Sequence, residues 1–398
     1  MGRIYVDNNA TTPVRPEVGE AMAGLLRGCY GNPSTLYCIG HEAHVEMELS
    51  RDTMAGILGA DREEIIFTSG GTESDNMAIF GVARALKKKG NHIITSKVEH
   101  HAVLNSCKAL EREGWSITYL PTDEYGMVNP SDVEGAITPQ TVLISIMHAN
   151  NEVGTIEPIS EIGRIAKAHK ITFHTDAVQS FGKLPINVNE MGIDLLSASA
   201  HKIYGTKGVG LLYIRKGTKI LPILFGGHQE RSLRPGTENV PGIVGFGKAA
   251  ELLVAERDTE EARLALMRDR LWEGIQKNIP HIRLHGHPTM RLAGTLNVGF
   301  DFVEGESIIL GLDEYGICAA SGSACTSDSL EPSHVLSAMG IPPERSHGAI
   351  RFSLGRENTE EDIDKLLEVL PKVVENLRSF SPIYKEFLRE QKTASQSA

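Results

Sequence analysis

Lys202 is the residue whose type and setting first point to chemistry. It ends a polar turn, Ser199-Ala200-His201-Lys202, held between two apolar runs, Asp194 to Ser197 and Val209 to Ile214. Both runs read as strands, and Gly205, Gly208 and Gly210 let the chain return through a narrow, conformationally permissive path. Partial burial lowers an amine's pKa and makes it a carbonyl-trapping nucleophile. Most loop lysines serve solubility, so the turn alone does not decide. A second stretch, Ile171 to Ser180 (ITFHTDAVQS), reads as a buried strand that delivers His174, Asp176 and Gln179 at its carboxyl end. Asp176 precedes Lys202 by 26 positions. A Schiff-base lysine with a carboxylate suits pyridoxal 5'-phosphate (PLP): the acid keeps the pyridine nitrogen protonated, and the ring then acts as an electron sink.

Other stretches carry groups such a site would use. Glu64 to Ser74 (EIIFTSGGTES) reads as a strand, a Gly-Gly turn and a helix start. Backbone amides there, Gly71 among them, with the Thr72 hydroxyl, suit a phosphate; the alternative is an ordinary capped strand-to-helix turn. The GxGxxG dinucleotide pattern is missing from it. His100 and His101 follow an apolar strand, and an imidazole there suits ring stacking and proton transfer near neutral pH. In Cys318 to Ser329 (CAASGSACTSDS) small residues surround Cys325, which predicts a mobile loop rather than core. A free cysteine is more often a small buried hydrophobe, and that reading suits Cys318 beside Ile317. Ile350 to Arg356 (IRFSLGR) carries two arginines, of which one is expected to clamp a substrate carboxylate.

Four of these motifs, HTDAVQS, SASAHKIYG, GGHQERSLRPGTEN and SGSACTSDSLEPSHVL, together resemble the NifS/IscS-type cysteine desulfurases, and the similarity runs from Tyr5 to about Tyr384. The resemblance implies PLP-dependent transferase fold type I, an α/β fold with a mainly parallel central sheet and a smaller α+β domain. Residues 16–260 would form the large PLP-binding domain; 1–15 and 261–398 would form the small one carrying the cysteine loop. It implies conversion of L-cysteine to L-alanine, with sulfur held as a persulfide on Cys325 and passed to an iron–sulfur scaffold protein. Lys202 then matches the lysine bonded to the cofactor, Asp176 the partner of its ring nitrogen, and Gln179 the partner of its ring hydroxyl. His100 matches the stacking proton carrier. Gly71, Thr72, Ser199 and His201 match phosphate ligands, with Thr237 reaching the phosphate of a second subunit in a homodimer. Asn151, which also matches a residue near the cofactor's ring hydroxyl, and Arg351 match the carboxylate-binding pair, with Arg356 as fallback, and Asn150 is expected to serve the turn. Cys325 is also admitted as a transient iron–sulfur ligand. The HTDAVQ and GGHQER versions look closer to the nitrogen-fixation branch. Thr206 and Asp328 depart from the usual pattern, and Asp328 adds a charge near Cys325. Two other readings remain: an aminotransferase or β-lyase without persulfide transfer, and a non-catalytic assembly protein on the same fold.

The elements that must position these groups are legible in outline. Short apolar runs alternate with amphipathic ones, as in a helix-covered parallel sheet. Helices are expected over Glu42 to Leu58 and Glu161 to His169, and Pro241 to Lys277 reads as a long helix bridging the domains. A chain of 398 residues, 41% hydrophobic, buries a large core. Its net charge of −11 argues against wrapping nucleic acid and favours solubility. No run reaches membrane-spanning length. Five scattered cysteines suit a reducing cytoplasm, and without CxxC pairs or zinc-spaced His/Cys clusters no structural metal is expected.

Overall fold

The computed structural model describes residues 3–321 and 332–396. Its strands are β1 (Ile4–Tyr5), β2 (Ile65–Thr68), β3 (His92–Ser96), β4 (Ser116–Leu120), β5 (Thr141–Ser145), β6 (Thr172–Asp176) and β7 (Leu195–Ser199). They continue with β8 (Gly210–Ile214), β9 (Ile282–His285), β10 (Thr295–Phe300), β11 (Ile317–Cys318), β12 (Ala320–Ser321) and β13 (Ala349–Ser353). Seven form one sheet in the order β2-β8-β7-β6-β5-β3-β4. Within it β8 runs antiparallel to both neighbours, and the other pairs are parallel.

Strands β2, β3, β5, β7 and β8 are buried at every position, as a sheet covered on both faces requires. Alternation then sorts neighbouring residues to opposite sides. Ile66, Ile93, Leu195 and Leu212 meet the helices Gly71–Leu86 and His101–Arg112. Phe67, Ile94, Leu196 and Leu211 meet the helices Cys38–Leu58 and Ile159–His169. The first of that pair starts four residues earlier than the sequence pattern placed it.

A second, antiparallel sheet has the order β12-β13-β10-β9 and packs under the helix Glu360–Phe380. One 39-residue helix, Val240–Asn278, serves both cores. Ile243, Phe246 and Leu253 sit in the core of the large sheet, while Leu264, Leu271 and Ile275 sit in that of the small one. At 1.5 Å per residue it is about 58 Å long, enough to span both. No helix among the described residues is long and apolar enough to cross a membrane.

Register places the Lys202 turn. Ser199 pairs with Gly210 across β7 and β8, and Gly210 pairs on its other side with Thr68. The turn at the end of β7 is therefore held beside the Gly70-Gly71 turn that follows β2. A side chain at 210 would put its Cβ 2.6 Å from Gly70 Cα and 2.7 Å from the Ala198 carbonyl oxygen, so this close approach requires glycine.

Candidate active site

The parallel strands end on one side of the large sheet, where such folds keep their ligand crevice. A cavity of about 380 Å³ opens there. It brings together Gly71, Thr72, His100, Asn151, Asp176, Gln179, Ser199, His201, Lys202 and Arg351 from the sequence reading. Thr237 is exposed and does not line this cavity. Cys325 and Asp328 lie outside the described residues. The segment holding Cys325 is flanked by β12, whose Ala320 pairs with Arg351, and by Pro332, Ser333 and His334, which line the cavity.

Lys202 sits in a single helical turn, residues 200–202, after β7. Its Nζ donates to the carbonyl oxygens of Asn9 at 2.6 Å and Ala10 at 2.7 Å. Asp176 is buried at the end of β6, and one carboxylate oxygen accepts the Val178 amide at 2.9 Å. Burial pushes its carboxyl up to about 6, against the pull of the Val178 hydrogen bond and the nearby Lys202 charge. Asp75, fully enclosed, is driven well above the carboxylate range by burial and then by the charge of Asp176. His174 lies inside the sheet, between the hydroxyls of Ser145 at 2.8 Å and Ser197 at 3.0 Å, and burial lowers its pKa to about 3.

His100 caps the helix His101–Arg112, its Nδ1 accepting the Ala102 amide at 3.1 Å. Burial, then the charges of Lys202 and His101, lower its pKa to about 4. The ring is therefore neutral at pH 7, and with Nδ1 an acceptor its hydrogen sits on Nε2. One donor atom each from Asp75, His100 and Asp176 falls within 4.8 Å of the others. Such a set suits a cation, but the Lys202 ammonium faces the same space and repels a second one.

Other groups of the cavity have the chemistry that suits an anion. The amides opening the helix Gly71–Leu86 have no acceptor within the helix, and the Ser199 and His201 side chains stand beside them. A side chain at 71 would put its Cβ 2.6 Å from Val178 Cγ2 and narrow the space. Gln179 donates from Nε2 to the Asn9 carbonyl at 2.9 Å, and its buried Oε1 has no partner among the described residues. Arg351 donates to the Asn151 carbonyl oxygen at 3.0 Å and to Asp7 Oδ1 at 2.6 Å, while its buried Nε is left unpartnered among the described residues. Unsatisfied buried polar atoms of this kind point to a missing ligand. Arg356 instead faces Glu256 and Glu357. Asn150 serves the turn, its Oδ1 accepting the amides of Glu152 and Val153.

Several residues of the cavity have no role in the sequence reading: Asn9 and Ala10, in an NNATTP arm that the resemblance places near the active site, with Asp75, Glu152, Ser333 and His334. His101, given no role in that reading, also lines it, with its ring 4.6 Å from that of His334. Glu152 accepts a 2.5 Å hydrogen bond from Ser333 Oγ, and burial lifts its carboxyl to about 7. The signal available for Asp75 was an acid in the polar first turns of a helix that becomes apolar from Met77 onward.

The chain can now be set beside known proteins. The aminotransferase class-V family matches residues 4–366. "Cysteine desulfurase IscS" of Methanosarcina thermophila is 57% identical over 380 residues, covering 96% of this chain and 94% of that protein. "Cysteine desulfurase IscS" of Dictyoglomus turgidum is 55% identical over 390 residues, 98% of this chain and 99% of its own. Among solved structures a "NifS-like protein" superposes with a TM-score of 0.89 at 40% identity, over 94% of this chain and 100% of its own. The chain belongs to the class-V aminotransferase family, and within it to the NifS/IscS-type cysteine desulfurases.

Proposed function

We infer that this protein is a PLP-dependent cysteine desulfurase, converting L-cysteine to L-alanine and passing the sulfur through Cys325 to an acceptor for iron–sulfur cluster assembly. The observation that carries the reading is the convergence of Lys202, Asp176 and Arg351 on one cavity. The donor set fits PLP: Asp176 for the ring nitrogen, Gln179 for the ring hydroxyl, and Gly71, Thr72, Ser199 and His201 for the phosphate. Thr237 from a second copy of the chain completes the phosphate site. When bound, PLP supplies a ring that draws electrons away from the α-carbon of the amino acid.

The remaining work falls to the chain. Arg351 and Asn151 hold the substrate carboxylate. Lys202 takes the α-proton, and His100 moves a proton at Nε2. The Cys325 thiolate bonds to the substrate sulfur as the carbon–sulfur bond breaks. The electron pair of that bond stays with carbon, which takes up a proton and leaves as alanine. Thiol and cysteine thus become persulfide and alanine, with no outside oxidant or reductant. Anchoring of β12 and Ser333 at the cavity supports this role. Cys325 is four residues from Ser321, a reach of at most about 14 Å.

A homodimer is supported by the exposed apolar side chains of Tyr30, Leu36 and Phe225, the last near Thr237 in sequence. The four described cysteines are unpaired, which supports a reducing cytoplasm. The sulfur acceptor in this reading is an iron–sulfur scaffold protein.

The test joins colour to product. Protein loaded with PLP is expected to absorb near about 400 nm, a band lost in Lys202→Ala. Cys325→Ala is expected to keep the band and its change on adding cysteine, while protein-bound persulfide, read by mass spectrometry, disappears. Undiminished alanine formation by Cys325→Ala would refute the desulfurase chemistry.

A further inference from the structure

The segment that reaches both ends of the cavity comes from the start of the chain. Asp7 Oδ1 is 2.6 Å from an Arg351 terminal nitrogen, and Asn9 offers its carbonyl oxygen to Lys202. Asn9 also donates through Nδ2 to the Asn151 carbonyl oxygen at 3.2 Å, and that oxygen accepts from Arg351 as well. The arm is itself held to β13. Ser353 donates its amide to Val6 and accepts the amide of Asn8 at its carbonyl, and its hydroxyl accepts the amide of Asn9 at 2.9 Å. Ser353 is two residues after Arg351, so both side chains lie on one face of that strand. On the other side Thr12 Oγ1 bonds the His201 carbonyl oxygen at 3.0 Å and accepts the Tyr204 amide at 2.7 Å, bracketing Lys202.

We propose that Asp7 and Asn9 are positioning residues of the reaction: the arm they belong to holds Arg351 on the small sheet and Lys202 on the large one in a single frame, setting the distance between the substrate carboxylate and the amine that takes its α-proton. The reaction needs this. A base displaced by about 1 Å forfeits on the order of a hundredfold in rate, and the arm adds contacts at the site itself to the coupling that the helix Val240–Asn278 and the Leu292–Gly154 hydrogen bond give the two sheets. Asp7 also fixes which guanidinium hydrogens remain for a ligand. With two directed at Asn151 and Asp7, the unpartnered Nε stays available to an incoming carboxylate. The proposal rests on the desulfurase reading for the identity of the substrate.

The test uses the full-length, PLP-loaded protein with Asp7→Ala, Asp7→Asn and Asn9→Ala, measuring alanine formation against cysteine concentration, together with melting temperature. Asp7→Ala is expected to raise KM by at least about tenfold with kcat little changed, because a buried guanidinium loses its partner. Asp7→Asn, whose amide oxygen still accepts from Arg351, is expected to recover most of that loss. Asn9→Ala is expected to lower kcat more than it raises KM. Wild-type KM in Asp7→Ala, or losses confined to melting temperature in both alanine variants, would overturn the proposal. Should Asp7→Ala fail to fold, an Asp7→Asn variant whose KM rises as far as that of Arg351→Lys overturns it equally. Binding of L-alanine, followed by the absorbance change of the loaded protein, gives the same comparison without turnover. A wild type that binds alanine but makes none from cysteine refutes the desulfurase reading and leaves the Asp7 contrast readable.

Discussion

The hydroxyl of Ser96 donates to Glu99 Oε1 at 2.6 Å, and the Met147 amide donates to the same oxygen at 3.1 Å, leaving Oε2 without a partner among the described residues. Burial lifts this carboxyl to about 8, more than the two hydrogen bonds lower it. Glu99 is therefore protonated at neutral pH, next to His100 in the chain.

A pH dependence of stability follows. A carboxyl whose folded pKa lies above its unfolded value holds a proton that the unfolded chain has already released, so stability falls as pH rises through that interval. Glu99 (to about 8), Glu152 (to about 7) and Glu157 (raised by burial) all act in this sense. The buried histidines work the opposite way. His100, His148 and His174, lowered to about 4, 4 and 3, lose stability as pH falls below about 6.5. Well above pH 6.5 these histidines are neutral in both states, and the raised carboxyls give the falling slope. Between about pH 6.5 and 8.5 the protein without cofactor is expected to lose on the order of 1–2 kcal/mol through Glu99, read as a falling melting temperature. Glu99→Gln, which keeps an acceptor for Ser96 and Met147, is expected to flatten this slope; an unchanged slope would contradict the assignment.

In the proposed reaction His100 acts as a neutral ring with its hydrogen on Nε2. His100→Ala is expected to lower kcat by about a hundredfold or more, the usual worth of a positioned proton carrier, with a smaller effect on KM. Because its pKa is held near 4, the pH profile of kcat/KM is expected to have no limb near pH 6.5 that His100→Gln removes. Steady-state kinetics across pH decide this, and such a limb in the wild type alone would mean that the imidazole titrates freely.

Gly210 joins the Lys202 turn to the phosphate turn. Gly210→Ala forces backbone against backbone at Gly70 and Ala198, with no flexible side chain to give way. It is expected to cost about 1–3 kcal/mol in stability and to weaken retention of PLP. Chemical denaturation and dialysis of the coloured protein measure the two effects. Gly114→Ala, where no atom lies within 4 Å but φ is +87°, separates backbone strain from collision and is expected to leave PLP retention unchanged.

The parallel strands were legible because runs such as HIITS and TVLIS can be buried on both faces only in a helix-covered sheet. The order of motifs also made the Lys202, Asp176 and His100 stretches readable, since each side chain sits at or just after a strand end, where local pattern and position coincide. The short helix His334–Ala338 has its cap written in the sequence, since Ser333 Oγ accepts the Leu336 amide and Gly340 follows at φ +78°. Of the two arginines in IRFSLGR, the strand pattern alone left the choice open. The register of β13 against β10 and β12, with Asp7 beside it, settles which one is enclosed.

By itself the sequence determined which residue types could trap a carbonyl, carry sulfur and hold an anion, and that the chain alternates strand and helix. These properties are local, set by side-chain chemistry and by periods of two and 3.6 residues. Tertiary structure alone decided the partners. Asp7 meets Arg351 across 344 positions, Lys202 meets Asn9 across 193, and Ser333 meets Glu152 across 181. It also decided the protonation of Asp75, Glu99 and His100. Whether a buried group keeps its charge depends on the water excluded around it and on the charges folded against it, and neither quantity is written in the neighbouring residues.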